Sequence, residues 1–293
     1  MKTRDLHQVV RPAQWVECGS KLLFILTFLL FLCLTEVVYA QCSAVGNVLH
    51  HGERVDYDLY FKWGILMPKA GLATLSVEDV TYESEAAWRY QLLFRTKGVI
   101  EKVYKMRDTM DCYFSHRDAR LLFSTKHSNE KDYYQIDDLK FSYPSKERVD
   151  VHSLRYNPTR TKIDTLLTDA PCVFDMLGAT MYLRSIAWDQ ISRGDEFPFH
   201  VAIGRDMVNA RFRYTGQQIV EHGDVKYRTR HFYIDIFDDA FTQSKAAAEV
   251  WIGDDENHLP IKIRAKLKIG AAEVYYNSGY NLREPLTCRF EMK

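Results

Sequence analysis

Carboxylates are the residues of this chain best suited by type to do chemistry, and they gather in two places. Asp235, Asp238 and Asp239 close one apolar run, while Asp254, Asp255 and Glu256 fill the turn after another. Two carboxylates facing each other across a cleft can break a glycosidic bond, at separations of about 5–10 Å. A glycan-hydrolysing enzyme built this way would hold Asp235 or Asp238 opposite Asp254 or Asp255. The same clusters have a simpler origin, because Asp and Asn side chains accept hydrogen bonds from nearby backbone N–H groups in turns. Tryptophans offer a second chemistry. Trp63, Trp88 and Trp251, together with Met181, could line a cavity for a hydrophobic or glycan ligand, although in a strand-rich domain such residues more commonly fill the core.

Other reactive patterns are missing. There is no G-x-S-x-G nucleophile turn, no HExxH, no phosphate-cradling glycine loop and no dinucleotide fingerprint. The ten histidines show no metal spacing, and the Asp254–Asn257 turn lacks the calcium-loop pattern. No metal, cofactor or catalytic residue is therefore expected. Cys42, Cys112, Cys172 and Cys288 form no CxxC pair, which argues against thiol redox chemistry and zinc binding. They could instead form structural bridges, in any of three pairings, or remain buried thiols.

The elements that must position these side chains read mostly as strands. Val55, Tyr57, Leu59, Phe61 and Trp63 alternate with polar residues, as do Trp88, Tyr90, Leu92 and Phe94. A period of two marks one buried sheet face. The clearest example is 261–269, where isoleucine, alanine and leucine alternate with Lys262, Arg264, Lys266 and Lys268. Its basic row reads as a solvated face that discourages edge aggregation. Glu221-His222-Gly223-Asp224 and Gly253–Asn257 read as turns. One segment, Cys172–Trp188, follows helical spacing through Val173, Met176, Leu177, Thr180, Met181, Arg184 and Ala187. Asp169 is its expected cap and Pro171 lies in its first turn. The polar stretch 144–171 reads as a connection joining two sub-sheets, 50–143 and 172–282.

The N-terminal segment sets the compartment. Lys21 precedes the apolar run Leu22–Leu34, and Val38-Tyr39-Ala40 follows. That is the layout of a secretory signal with cleavage after Ala40. The run is shorter than the roughly 20 apolar residues of a spanning helix. The expectation is a leader at 1–40 and one exported β-rich domain at 41–293, in the periplasm or against the outer membrane, with no transmembrane span after cleavage. Formal net charge is +0 over the chain. Such a balance supplies no overall pull towards nucleic acid or an anionic membrane. High Tyr and Phe content, 18 and 16 residues, suits half-buried strands.

Several short motifs in order carry a family resemblance. Gly52-Glu53 precedes a strand running into Lys62-Trp63-Gly64, then Ala70-Gly71; Arg107-Asp108 opens a later strand. Asp175-Met176-Leu177 and Tyr182-Leu183-Arg184 mark a central helix, and Val250-Trp251-Ile252, Asp254-Asp255 and Leu259-Pro260-Ile261 a closing hairpin. This arrangement resembles the bacterial family called domain of unknown function 3108, across most of 50–282. The resemblance implies an exported, β-rich envelope protein and carries no activity with it. The expected fold is mainly β, at the margin of α+β: an antiparallel half-barrel or two-sheet sandwich with one central amphipathic helix. The expected role is non-enzymatic, binding a hydrophobic or glycan ligand or an envelope protein partner. A polysaccharide hydrolase and a structural scaffold are the alternatives.

Overall fold

The computed structural model describes residues 48–62, 64–145, 147–237, 244–267 and 270–291. The leader, Cys42, Trp63 and Asp238 lie outside them. Residues 42–293 form a compact unit apart from 1–41.

The chain forms β1 (Arg54–Lys62), β2 (Lys69–Tyr82), β3 (Glu85–Thr96), the short helix α1 (Gly98–Val103), β4 (Arg107–Ser115), β5 (Leu121–Glu130), β6 (Tyr133–Ser145), β7 (Arg148–Asn157) and β8 (Arg160–Ala170). It continues through β9 (Val173–Phe174), α2 (Gly178–Ser185), β10 (Glu196–Ile203), β11 (Asp206–His222), β12 (Val225–Phe237), β13 (Ser244–Gly253), β14 (Pro260–Lys266), β15 (Ala271–Tyr280) and β16 (Arg289–Glu291). All described strands belong to one sheet, ordered β8-β7-β6-β5-β4-β3-β2-β1-β15-β14-β13-β12-β11-β10-β9, with β16 paired to β12. Every pairing is antiparallel except that of β9 with β10. Neighbouring hairpins supply most of this order, and one long-range ladder, β1 with β15, welds the two halves.

The sheet is rolled but not closed by a strand ladder. At the seam the hydroxyl of Ser153 on β7 donates to the Gly204 carbonyl at 2.6 Å, and Arg205 donates to the Lys162 carbonyl at 3.0 Å. Side-chain bonds thus bridge the approach of β7 and β8 to the β10–β11 turn, where a barrel would have backbone pairs. One face of the sheet is apolar, because alternation leaves Val55 and Tyr57, Ala73, Leu75 and Val77, and Ala210 and Phe212 buried. Helix α2 lies in that core. Its Tyr182 stacks on Phe174 at 5.2 Å between ring centres and meets Phe199 and Phe212 at 5.8 and 6.1 Å.

Of the two expected architectures the half-barrel holds: the strands form one open sheet rather than a sandwich, with no break between 50–143 and 172–282. Three other expectations need correction. The stretch 144–171 is no connection, for it forms the β7–β8 hairpin, with Asn157 accepting bonds from the backbone of Thr159 and Arg160 in its turn. The helix spans only Gly178–Ser185, since Val173 and Phe174 extend to pair with His200 and Val201 of β10. Asp169 falls within β8, and Asp175 meets the helix start, accepting from the Gly178 N–H at 2.6 Å. Of the cysteines, Cys112 and Cys288 are free buried thiols and Cys172 is disulfide-bonded.

Candidate functional site

The face of β11 and β12 opposite the core gathers polar side chains. Arg211, Arg213 and Thr215 alternate with buried Phe212 and Tyr214, and the paired strand contributes Tyr233 and His231. A β-bulge between Tyr214 and Gly216 interrupts the register; Gly216 sits at φ 121°, a conformation side chains rarely adopt. Beside the bulge lies a pocket of ≈360 Å³ walled by Arg193, Arg213, Thr215, Gln218, His231 and Tyr233.

Its polar groups are mutually oriented. The Thr215 hydroxyl and His231 Nδ1 share a hydrogen bond at 2.6 Å, and the same hydroxyl lies 3.2 Å from the His231 carbonyl. The other ring nitrogen, Nε2, is buried without a hydrogen-bond partner, 3.4 Å from Glu249. Burial lowers the His231 pKa against the pull of Glu249, favouring the neutral ring. Gln218 accepts from the Trp251 indole at 2.7 Å, and the Trp251 ring lies 4.6 Å from that of His231. Arg193 is exposed and makes no ion pair among the described residues.

The same face continues across β13, β14 and β15 as a charged and aromatic mosaic. Glu273, 2% exposed, faces Lys62, Lys262 and Arg264 and accepts from the Tyr275 hydroxyl at 2.5 Å. Lys262 also sits over the Trp251 and Tyr275 rings, at 4.8 and 5.1 Å. Lys262 and Arg264 of the basic row are therefore partly covered and ion-paired, whereas Lys266 is exposed. Desolvation opposes ionisation of Glu273, yet its Tyr275 bond and the surrounding cations hold its pKa below the usual value.

The acidic residues proposed for glycan hydrolysis are engaged structurally. Asp235, fully buried, accepts from Arg211, Arg213 and the Ala246 N–H. Desolvation would raise its pKa, but these bonds outweigh it and keep the carboxylate ionised. Asp254 accepts from Arg230 and Gln217, and Asp255 from the N–H groups of Asn257 and Cys288. Among the described residues no group of three or more His, Cys, Asp or Glu side chains could hold a metal ion.

Trp88, Trp251 and Met181 do not come together in one cavity. Trp88 is half-buried on β3 with its ring 4.2 Å from His116. Met181 is fully buried on α2, its sulfur 3.7 Å from Arg184. Trp251, 8% exposed, is the member beside the pocket. Arg213 and Thr215 on β11, and His231 and Tyr233 on β12, sit at alternate strand positions, and that alternation was their available signal; Arg193, in the segment before β10, carried none. Only pairing with β12 shows that Arg213 and His231 share a face.

A second polar cluster lies inside the core. Arg184 of α2 and Glu53, 1% and 2% exposed, form a two-pronged ion pair at 2.8 and 3.0 Å, and Arg184 also donates to the Asn257 carbonyl at 3.1 Å. His258 donates to the Arg184 carbonyl at 2.8 Å and stacks on Trp188 at 4.4 Å. Burial lowers the pKa of His258, as it does that of His222. A histidine held below its unfolded value of about 6.5 binds its proton more readily when unfolded, so its share of stability is present above that pH and lost as pH falls. Thermal melts of the wild type are thus expected to weaken from pH 7.5 to 5.5 by more than those of His258→Gln. Equal slopes would remove His258 from this account.

These features define an open, barrel-like β sheet with a core helix and a polar surface pocket. The chain belongs to the family described as protein of unknown function DUF3108, whose model matches residues 56–276. A solved β-barrel-like protein of domain of unknown function DUF1849 from Brucella abortus shares the fold, with a TM-score of 0.55 at 10% identity over 81% of this chain and 100% of that one. No curated protein matches.

Proposed function

We propose that this chain is an exported cell-envelope protein that binds an anionic glycan, a saccharide bearing carboxylate or phosphate, in the pocket of β11 and β12. The observation carrying this reading is the pocket itself: Arg193 has no acidic partner among the described residues and stands with Arg213, Gln218 and Tyr233 around an open polar space. Guanidinium groups suit planar oxyanions, and Gln and Tyr suit hydroxyls. Trp251, already tied to Gln218, buttresses the wall. A hydrophobic ligand in the core is disfavoured, because Tyr182, Phe174, Phe199 and Phe212 pack around α2. The hydrolase alternative is disfavoured by Asp235, whose two arginine partners oppose the protonation a general acid needs. The secretory layout of 21–40 supports the envelope location.

Two measurements test the proposal. N-terminal sequencing of the envelope-fractionated protein is expected to begin at Gln41. Calorimetric titration is expected to show saturable binding of an oligouronate and none of a neutral glucose oligomer. Arg193→Ala should weaken the former about tenfold, the worth of one charge-assisted hydrogen bond. Equal affinity for both saccharides, or none for either, would reject the glycan reading.

A further inference from the structure

One rim of the sheet differs from the other in the chemistry of its loops. The β2–β3, β4–β5 and β11–β12 turns at one end hold Glu83-Ser84, His116–Ala119 and Gly223-Asp224. At the other end, three consecutive connections along the strand order carry exposed apolar side chains. In the β1–β2 loop Ile65 is fully exposed and Leu66 is 59% exposed. In the β3–β4 connection Val99 and Val103, one helical turn apart on α1, are 74% and 66% exposed, and no residue of that helix is buried. Leu267 is exposed in the β14–β15 loop. Backbone contacts hold these loops side by side: Lys97 donates to the Ala70 carbonyl, and a side chain at Gly270 would strike the Lys62 carbonyl.

Cations surround these apolar tips. Arg95, Lys97, Lys102, Lys105 and Lys266 are exposed and have no acidic partner among the described residues. Segments 62–69 and 95–107 contain Glu101 as their sole acidic residue, and it is bound by Arg107. The chain's overall neutrality averages this rim against acidic turns elsewhere.

We infer that this rim is a docking surface for an anionic lipid bilayer, with the loop tips entering the headgroup layer and the lysines facing lipid phosphates. Apolar side chains at loop tips, ringed by unpaired lysines, match the two terms of interfacial binding: burial of apolar area and attraction to anionic headgroups. Charge complementarity selects this occupant. No described helix is long and apolar enough to cross a membrane. The inference uses loops that contribute nothing to the glycan pocket and does not depend on that reading.

The test is co-sedimentation of the 42–293 domain with vesicles, since that segment forms its own compact unit. Binding is expected to vesicles of phosphatidylglycerol and phosphatidylethanolamine, at low salt, with far less to phosphatidylcholine alone. Lys97→Glu combined with Lys102→Glu should weaken it at least about tenfold. Leu66→Asp combined with Val99→Asp should weaken it comparably at unchanged charge on the lysines. All four sites are exposed, so circular dichroism should show the native fold. Equal binding to both vesicle types, indifference to the lysine changes, or no co-sedimentation at all would overturn the inference, and the last outcome would direct attention to a protein partner for the rim.

Discussion

Arg184→Met is expected to destabilise the domain by about 3–5 kcal/mol, the range for breaking one side of a buried ion pair. The arginine reaches Glu53 with both terminal nitrogens, and neither side chain meets appreciable solvent. Removing the guanidinium leaves a carboxylate without its partner in a region also lined by Tyr57 and Tyr90, whose own pKa values burial raises. It also removes the bond to the Asn257 carbonyl, which fastens α2 to the turn after β13. Replacing both members, Arg184→Met with Glu53→Met, should recover much of the loss, because an apolar pair avoids the desolvation of two charges. Urea denaturation of wild type, both single variants and the double variant gives the coupling directly. A cost below about 1 kcal/mol for Arg184→Met would mean that the pair contributes no more than an exposed one.

Phe232→Ala is expected to cost a similar amount, about 3–5 kcal/mol, through a different mechanism. Phe232 on β12 is fully buried and meets Trp188, Tyr214 and Phe197 at ring separations of 5.5, 5.1 and 6.5 Å. Its neighbours come from the segment after α2, from β11 and from β10, so a void at this point has walls on separate elements that cannot all collapse inward. Leu166→Ala provides the contrast. Leu166 is 59% exposed on the edge strand β8, and its loss should stay within about 0.5 kcal/mol. Comparable losses at the two positions would show that the aromatic cluster is loosely packed.

The two perturbations probe different kinds of information in the chain. Phe232 follows the strand alternation of its own segment, and its burial was legible from residues two positions away. Arg184 falls on the helical stripe shared with Leu177 and Met181, yet nothing local names the group that would neutralise it there. Its partner Glu53 stands 131 positions earlier, immediately before β1. Only the fold brings the two together.

The candidate pocket was still less legible. Trp251 was singled out for its ring; it lies behind the pocket wall, where its indole holds Gln218 and its ring meets that of His231. Trp88 and Met181 lie elsewhere, on β3 and inside the core. Arg213 and His231 each sit opposite buried strand positions, so the sequence assigns them to a wet face in general. Their convergence depends on the bulge at Gly216 and on the register of β11 against β12.

By itself the sequence determined the strand-rich class, the family, the turns at Gly223-Asp224 and Gly253–Asn257, and the core-facing positions of 55–59 and 88–94. These follow from alternation and turn chemistry, whose causes lie within a few residues along the chain. Tertiary structure alone decided that β1 pairs with β15 to join one open sheet, and that residues 144–171 supply two strands. It also decided that the helix begins at Gly178 rather than Cys172, because β10 claims Val173 and Phe174 for hydrogen bonding. Those outcomes depend on competition between distant partners for the same backbone groups and the same buried space, and that competition is settled only when the sheet rolls up.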